Sequence, residues 1–278
     1  MRIVSINVNG VRAALRKGFQ EWIDGANADV VCLQEVRAPD EVVEQAFAAG
    51  WHVAHQACEL KGRAGVAILS RTPLTDVAMG AQALGDAALD AAHTGRWIEA
   101  TVESPAGPVR VVSVYVHSGE VGTPKMDAKY EFLDLMTARM EALRGAFDRA
   151  VVMGDINTAH TQRDIKNWKG NLKSAGFLPE ERAYLDRWFA SGWVDVHRTL
   201  VGDQDGPYTW WSMRGRAFDN DAGWRIDYQY ATPQMAATAL SAAVGRAAAW
   251  DERWSDHAPL TIDYNLNAVS DLGEGSRA

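Results

Sequence analysis

The chain has 278 residues, a formal net charge of -8, 47% apolar residues and 23% charged residues. That is enough length for one large domain with a full core, and the composition is ordinary for a water-soluble protein. The acidic balance argues against a protein that coats nucleic acid by bulk attraction, but it permits a local basic face or an acidic cluster filled by a divalent cation.

No apolar run approaches the roughly 20 residues of a membrane helix, so no membrane association is expected. Met1 to Ile6 enters a strand pattern at once, and no signal peptide is expected. Cys32 and Cys58 form no C-x-x-C pair and indicate no disulfide framework, so a cytoplasmic location is expected. With no Pro/Ser-rich linker, the expectation is a single domain over residues 1–264 and a frayed tail over 265–278.

In chain order, Arg2 to Val8 reads as a strand ending in the turn signal Asn9-Gly10. Val11, Leu15, Phe19, Trp22 and Ile23 form a helical stripe, which predicts one helix from Val11 to Asp24. Val30 to Leu33 is a buried strand that ends in Gln34-Glu35, and a short helix opens at Pro39-Asp40 and closes near Gly50. Strands are expected at Trp51 to Ala57, Gly65 to Ser70, Leu74 to Met79, Arg96 to Glu103 and Val109 to Val116, and Ala81 to Gly95 carries no clear pattern. Thr123-Pro124 reads as an N-cap and first helical residue of a helix running to about Asp148. Ala150 to Met153 is a short strand buried on both faces, leading into Gly154-Asp155-Ile156-Asn157. A polar, basic segment follows over 163–173, then a helix after Pro179, and a short strand or loop at Trp193 to Val196. Tyr208 to Met213, Trp224 to Ala231 and Pro259 to Tyr264 complete the predicted strands. Strands outnumber helices and some neighbours are hairpin-linked, which predicts an α/β sandwich of two mixed sheets flanked by helices.

Apolar strands in this chain repeatedly end in polar groups: Asn7, Glu35, Tyr115, and Asp155 with Asn157. Asp227 and Asp256-His257 stand near the last strands. A single acid at a strand end is explained by local turn bonding. Four acids, two amides, a His and a Tyr are harder to explain so, and side-by-side strands would converge them on one sheet edge. Such a set suits Mg²⁺, which takes carboxylate oxygens, water and substrate phosphate. No Cys/His cluster with zinc spacing is present. Water attack on a phosphodiester requires a positioned water, charge neutralisation at the phosphoryl oxygens and a stabilised leaving oxygen.

The ordered motifs Asn7-Val8-Asn9-Gly10-Val11-Arg12-Ala13, Leu33-Gln34-Glu35, Gly154-Asp155-Ile156-Asn157, Trp224-Arg225-Ile226-Asp227-Tyr228 and Ser255-Asp256-His257 resemble the exonuclease III family of AP endonucleases. That family lies within the endonuclease/exonuclease/phosphatase superfamily. The segments Lys169-Gly170-Asn171 and Pro179-Glu180-Glu181-Arg182 add to the likeness, which spans about Met1 to Tyr264. The resemblance implies a DNase I-like fold and a Mg²⁺-dependent enzyme, with Mn²⁺ as a substitute ion. It would cut double-stranded DNA 5′ to abasic sites and act at 3′ ends as exonuclease and phosphatase, as a monomer. Carried over, Glu35 looks like the principal metal ligand, aided by Asp256 and Asn7. Asp155 would activate or orient the water, Asn157 would stabilise phosphoryl oxygens, Tyr115 would lie against the phosphate or leaving group, and Asp227 would orient His257. A second metal would fall near Asp155, Asn157 and His257. Trp210, Trp224 and Ile226 resemble the walls of an abasic-sugar pocket, with core packing as the alternative. Arg12, Asn171 and the basic residues Arg16, Lys17, Lys125, Lys129, Arg163, Lys166, Lys169 and Lys173 would line a phosphate track, with solvated surface as the alternative.

The sequence departs from the usual pattern at Val36-Arg37, where Thr-Lys is frequent, at His117 and Trp168, where Pro is common, and at Ser174, where some members have Asn. None removes a candidate metal ligand. Two other functions compete: a related metal-dependent phosphoesterase acting on RNA, nucleotides or phospholipid headgroups, and a DNA-binding protein without catalysis. The second is disfavoured, because every expected acid and the His are present.

Overall fold

The computed structural model describes residues 1–85 and 90–267. The strands in chain order are β1 (Arg2–Asn7), β2 (Val30–Gln34), β3 (His52–Gln56), β4 (Val66–Ser70), β5 (Leu74–Met79), β6 (Trp97–Val102), β7 (Val109–Tyr115), β8 (Ala150–Asp155), β9 (Val194–Asp195), β10 (Asp227–Ala231), β11 (Ala239–Val244) and β12 (Leu260–Tyr264). They form two six-stranded sheets, in the orders β11-β12-β1-β2-β4-β3 and β5-β6-β7-β8-β10-β9. Each sheet is mixed, with one parallel pair at its centre, β1 with β2 and β7 with β8, and antiparallel neighbours on either side. The expected sandwich of two mixed sheets flanked by helices is the observed architecture.

Both faces of the central strands are apolar because both are covered. Ile3, Val30, Cys32, Val66 and Ile68 of one sheet meet Ile98, Val111, Val151 and Met153 of the other in the core between the sheets. Val4, Ile6, Val31 and Leu33 face outward, under α1 (Val11–Arg16), α2 (Phe19–Gly25) and α3 (Asp40–Phe47). Short α4 (Gly80–Leu84) lies beside α5 (Pro124–Ala146), which covers the outer face of the second sheet together with α6 (Pro179–Ala190). Short α7 (Val196–Val201) and α8 (Pro233–Ala236) complete the set among the described residues. Thr123 caps α5 as expected, its side chain accepting from the Lys125 N–H.

Several details differ from the sequence expectation. The single helix over Val11 to Asp24 is two, because Gly18 takes a left-handed φ of 98° and turns the chain between them. Tyr208 to Met213 is not a strand; only Trp210 forms isolated bridges there, to Trp224 and His257. Asn265 donates its N–H to the Thr238 carbonyl at 2.7 Å and Leu266 is buried, so both belong to the fold rather than to a frayed tail. Residues 268–278 of that expected tail lie outside the described residues, as do 86–89 of the unassigned segment.

One glycine permits a close approach between two strands of the second sheet. Gly154 has φ 150°, and a Cβ there would stand 1.9 Å from the Val114 carbonyl oxygen on the paired parallel strand. Gly154→Ala would therefore pry β7 from β8 next to Asp155. Strained backbone and overpacking together predict a loss of about 2–6 kcal/mol in urea unfolding. A variant with the parental midpoint would show that this close approach is not a constraint.

Candidate active site

The two parallel strand pairs end at the same edge. Asn7 pairs with Gln34 at the end of β1 and β2, and Tyr115 with Asp155 at the end of β7 and β8. Asp227 opens β10 directly opposite Asp155. The chain then turns sharply at both edges: Glu35 (φ 49°) follows β2, and Asn157 (φ 52°) lies two residues past β8. Such left-handed backbone at non-glycine residues is costly and concentrates at functional sites.

These ends floor a cavity of about 990 Å³, lined by Glu35, Tyr115, Asp155, Asn157, Asp256 and His257 among others. His257 Nδ1 lies 2.9 Å from Asp227 Oδ2, and His257 Nε2 lies 3.6 Å from Asp155 Oδ2. The Asn7 amide donates to Asp155 Oδ2 at 2.9 Å, and the Asn157 amide donates to the Val116 carbonyl and to Asp155 Oδ2. The Tyr115 hydroxyl and the Arg37 guanidinium both donate to the Glu35 carboxylate. Asp256 accepts from Asn9 Nδ2 at 2.7 Å and from Trp210 Nε1 at 3.0 Å. Ser255 Oγ donates to the Asn7 carbonyl at 2.7 Å, tying the last loop to the first strand.

Burial pushes the Asp155 carboxyl up, with the charges of Asp227 and Glu35 adding to the push against the pull of His257, to about 7. Burial alone would lower His257, but Asp227 and Asp155 outweigh it and hold the imidazole up at about 10. Burial and the charges of Glu35 and Asp155 raise the Tyr115 phenol well above its ordinary range, so it remains a donor. Burial would raise Asp256, but His257 and the bonds from Trp210 and Asn9 hold it low. Asp155, Asp227 and His257 offer ligand atoms all within 4.8 Å of one another, the one such cluster among the described residues. Asp227 Oδ1 is buried without a hydrogen-bond partner.

Trp210, Trp224 and Ile226 form one wall of this cavity. The two indoles meet edge to face at 6.0 Å and pack on a small cluster of Ala159, Ile165, Phe177 and Ile226. Gly176 is left-handed at φ 88°, and a Cβ there would meet Trp224 Cζ3 and the Asn157 carbonyl at 3.0 Å. Asn171 lines the same wall.

Not every sequence candidate comes together here. Asn7 and Asp227 sit behind the floor, and Arg12 is exposed on α1 away from the cavity. Lys129 is no surface cation: it is fully buried, with Nζ 2.5 Å from Glu181 and 2.8 Å from the Asn157 carbonyl. Conversely, Arg37, Arg63 and Arg96 line the cavity and were not singled out from the sequence. Arg96 opens a predicted strand and carries no motif signal; Arg37 could have been found by its place two residues from Glu35. A second cavity of about 990 Å³ lies beyond Ile165 and Trp168, but most of its acids are consumed in ion pairs, Asp164 with Arg198 and Arg225, and Asp203 with Arg163.

The sequence matches the model of the endonuclease/exonuclease/phosphatase family over residues 4–257. The chain belongs to this family. It is 31% identical over 267 residues to an exodeoxyribonuclease of Bacillus subtilis (strain 168), covering 96% of this chain and all of that one. It is 30% identical over 270 residues to a DNA-(apurinic or apyrimidinic site) endonuclease of Dictyostelium discoideum, covering 96% of this chain and 71% of that one. A solved structure of the 3′ phosphatase NExo from Neisseria, bound to product DNA hairpin, superposes with a TM-score of 0.83 at 29% identity, covering 95% of this chain and 99% of that one.

Asp227 is the group that keeps His257 charged. Asp227→Asn removes the neighbouring negative charge that favours the imidazolium, so the His257 pKa should fall from about 10 by roughly 1–3 units. Imidazole ¹⁵N shifts recorded against pH in chelator-treated protein measure this directly. A His257 titration unmoved by the substitution would place the source of the shift elsewhere.

Proposed function

We propose that this protein is a DNA-repair nuclease that hydrolyses phosphodiesters of double-stranded DNA, 5′ to abasic sites and at 3′ ends, as exonuclease and 3′-phosphatase. The observation that carries the reading is the Asp155–His257 pair, backed by Asp227, on the floor of a cavity that also holds Glu35 and a wall of two tryptophans. The names of its relatives support it: an exodeoxyribonuclease, an abasic-site endonuclease and a 3′ phosphatase bound to DNA. The whole of residues 1–264 would act as one catalytic domain, monomeric and cytoplasmic. No helix among the described residues is long and apolar enough to cross a membrane.

The donor set fits a hard divalent cation. Glu35, Asp256 and Asp155 present carboxylate oxygens to one cavity, and Asp227 Oδ1 is an orphaned buried acceptor behind them. Glu35 would hold Mg²⁺ (or Mn²⁺), with Asp256 and the Asn7 side chain supporting. When bound, the ion would neutralise phosphoryl charge and polarise the scissile bond. A second ion at Asp155, Asn157 and His257 would require His257 to give up its proton, which Asp227 opposes.

The side chains divide the remaining work. Asp155, held near 7, can take or orient the proton of the attacking water. Asn7 and Asn157 fix its carboxylate through Oδ2. His257, as an imidazolium anchored by Asp227, can donate to a phosphoryl oxygen, and the Tyr115 hydroxyl can donate beside the leaving oxygen. For Asn157 to stabilise the phosphoryl group as well, its amide must exchange a bond to Asp155 or Val116. The tryptophan wall suits a flipped-out sugar that lacks its base.

The decisive assay uses the pure protein with Mg²⁺ on three duplexes: abasic, recessed 3′-OH and 3′-phosphate. Cleavage should vanish in chelator, and Glu35→Ala should weaken both metal dependence and rate. Asp155→Asn should lower turnover by about 100-fold or more while DNA binding, read by anisotropy, stays within a few-fold. Trp224→Ala should impair abasic-site cleavage more than trimming of 3′ ends. Activity on RNA, nucleotides or phospholipid headgroups in place of these duplexes would favour the related phosphoesterase.

A further inference from the structure

Asn7 and Glu35 are set by the ends of β1 and β2, whereas Asp256 stands in the loop before β12. That loop is clasped to the segment that carries Trp210. The Trp211 N–H donates to the Asp256 carbonyl at 3.1 Å, the Ala258 N–H donates to the Thr209 carbonyl at 2.8 Å, and Trp210 bridges to His257. The Asp256 side chain is held separately, at both ends: Oδ1 accepts from Asn9 Nδ2 at 2.7 Å, and Oδ2 accepts from Trp210 Nε1 at 3.0 Å. Ser255 Oγ stands 3.5 Å from Oδ1, but it has one proton and gives it to the Asn7 carbonyl at 2.7 Å.

A carboxylate offers about four lone-pair sites, and these two bonds use one on each oxygen. The other two remain for a cation. The carboxylate torsion of an aspartate is soft, so a single bond would leave the plane of the group free to turn. Two donors on opposite oxygens fix it, and the ordering cost is met before any ion arrives. The indole suits this task because its N–H can only donate and carries no charge. A Lys or Arg in its place would also hold the carboxylate, but its charge would repel the ion. The ring itself is held, edge to face on Trp224 at 6.0 Å and tilted against His257 at 6.5 Å.

We propose that Trp210 is a positioning residue for the divalent cation: its indole N–H fixes the Asp256 carboxylate, while its ring forms part of the cavity wall. This rests on Asp256 helping to hold the cation, as proposed above. The two tryptophans of the wall then differ in kind. Trp224 lines the same cavity, but its indole donates to neither oxygen of Asp256. Trp210 ties the wall to the ion site, and Trp224 belongs to the wall alone.

The test measures Mn²⁺ binding to the full chain without DNA, by electron paramagnetic resonance of the free ion. Trp210→Phe keeps an aromatic ring in the wall and the backbone clasp, and removes only the N–H. Its Kd for Mn²⁺ should rise by about tenfold, the low end of what losing a hydrogen bond to a ligating carboxylate costs. Trp224→Phe makes the same change on the same wall and should keep the parental Kd, which separates loss of the bond from general loosening of the wall. A second readout needs no variant: in the parental protein the Trp210 indole proton resonance should shift as Mg²⁺ is added, because its acceptor gains a cation. A Kd that is unchanged or tighter in Trp210→Phe, an equal loss in Trp224→Phe, or an indole resonance unmoved by saturating Mg²⁺ overturns this inference alone. A parental protein that binds no Mn²⁺ overturns the cation reading and this inference with it.

Discussion

The constraint on which the site depends is the burial of two carboxylates and an imidazolium in contact. Asp155, Asp227 and His257 lie within reach of one another with almost no solvent exposure. Charges removed from water must find partners or lose their charge. Here the surplus is one negative charge, and the structure answers it with neutral donors: the Asn7 amide, the Asn157 amide and the Asn157 backbone N–H at 2.9 Å all point at Asp155. This works only if β1, β8 and β10 end within a residue of each other. The strand registers, and the glycine that lets β8 lie close to β7, are therefore part of the electrostatics as much as of the packing.

The loops that build the upper walls depend on a second set of buried charges. Asp164 is fully buried and bound by Arg225 and Arg198 at 2.6 Å each, while Arg225 also meets Asp195 at 2.8 Å. The segment carrying Asp164 continues into Ile165, which bridges to Trp224 on the cavity wall. The Lys129–Glu181 pair does the same for the other loop: Lys129 holds the Asn157 carbonyl, and Glu181 accepts the N–H groups of Gly176 and Leu178. The apolar cluster under these loops has only four fully buried members, so ion pairs fix what the small core cannot. Removing one partner of such a pair costs more than its presence contributes, because the other charge is left stranded.

Most strands were legible in the sequence because continuous apolar runs such as Val30 to Leu33 and Ala150 to Met153 signal strands covered on both faces. The convergence of their polar ends was legible for the same reason: in a two-sheet sandwich the ends of parallel neighbours must share an edge. What sequence could not supply was the long-range pairing of charge. Lys129 looks like an ordinary helix cation until Glu181, which a chain-order scan never places beside it, takes it out of solvent. The split at Gly18 was missed because the apolar stripe continues in phase across it, so periodicity masks the turn. β11 and α7 were missed since their exposed or short apolar patterns carry little signal of their own.

The net charge of -8 and a polyanionic substrate are compatible because electrostatics at the site is local. Arg37, Arg63, Arg96 and Lys125 stand at the cavity, while the acids of its floor are buried and engaged by Arg37, His257 and the asparagine amides. At physiological ionic strength charge is screened over about 8 Å, so a phosphate at the mouth responds to these groups and not to the remote acidic surface. The distribution also has a consequence for selectivity. A strand held only by bulk attraction would bind anywhere along its length, as coating proteins do. On the proposed reading, productive binding would require phosphates to reach the cavity itself, where the floor would hold the reacting groups and the tryptophan wall would limit which sugar enters. The acidic net charge would then work with the cavity, and against unselective attachment to intact duplex.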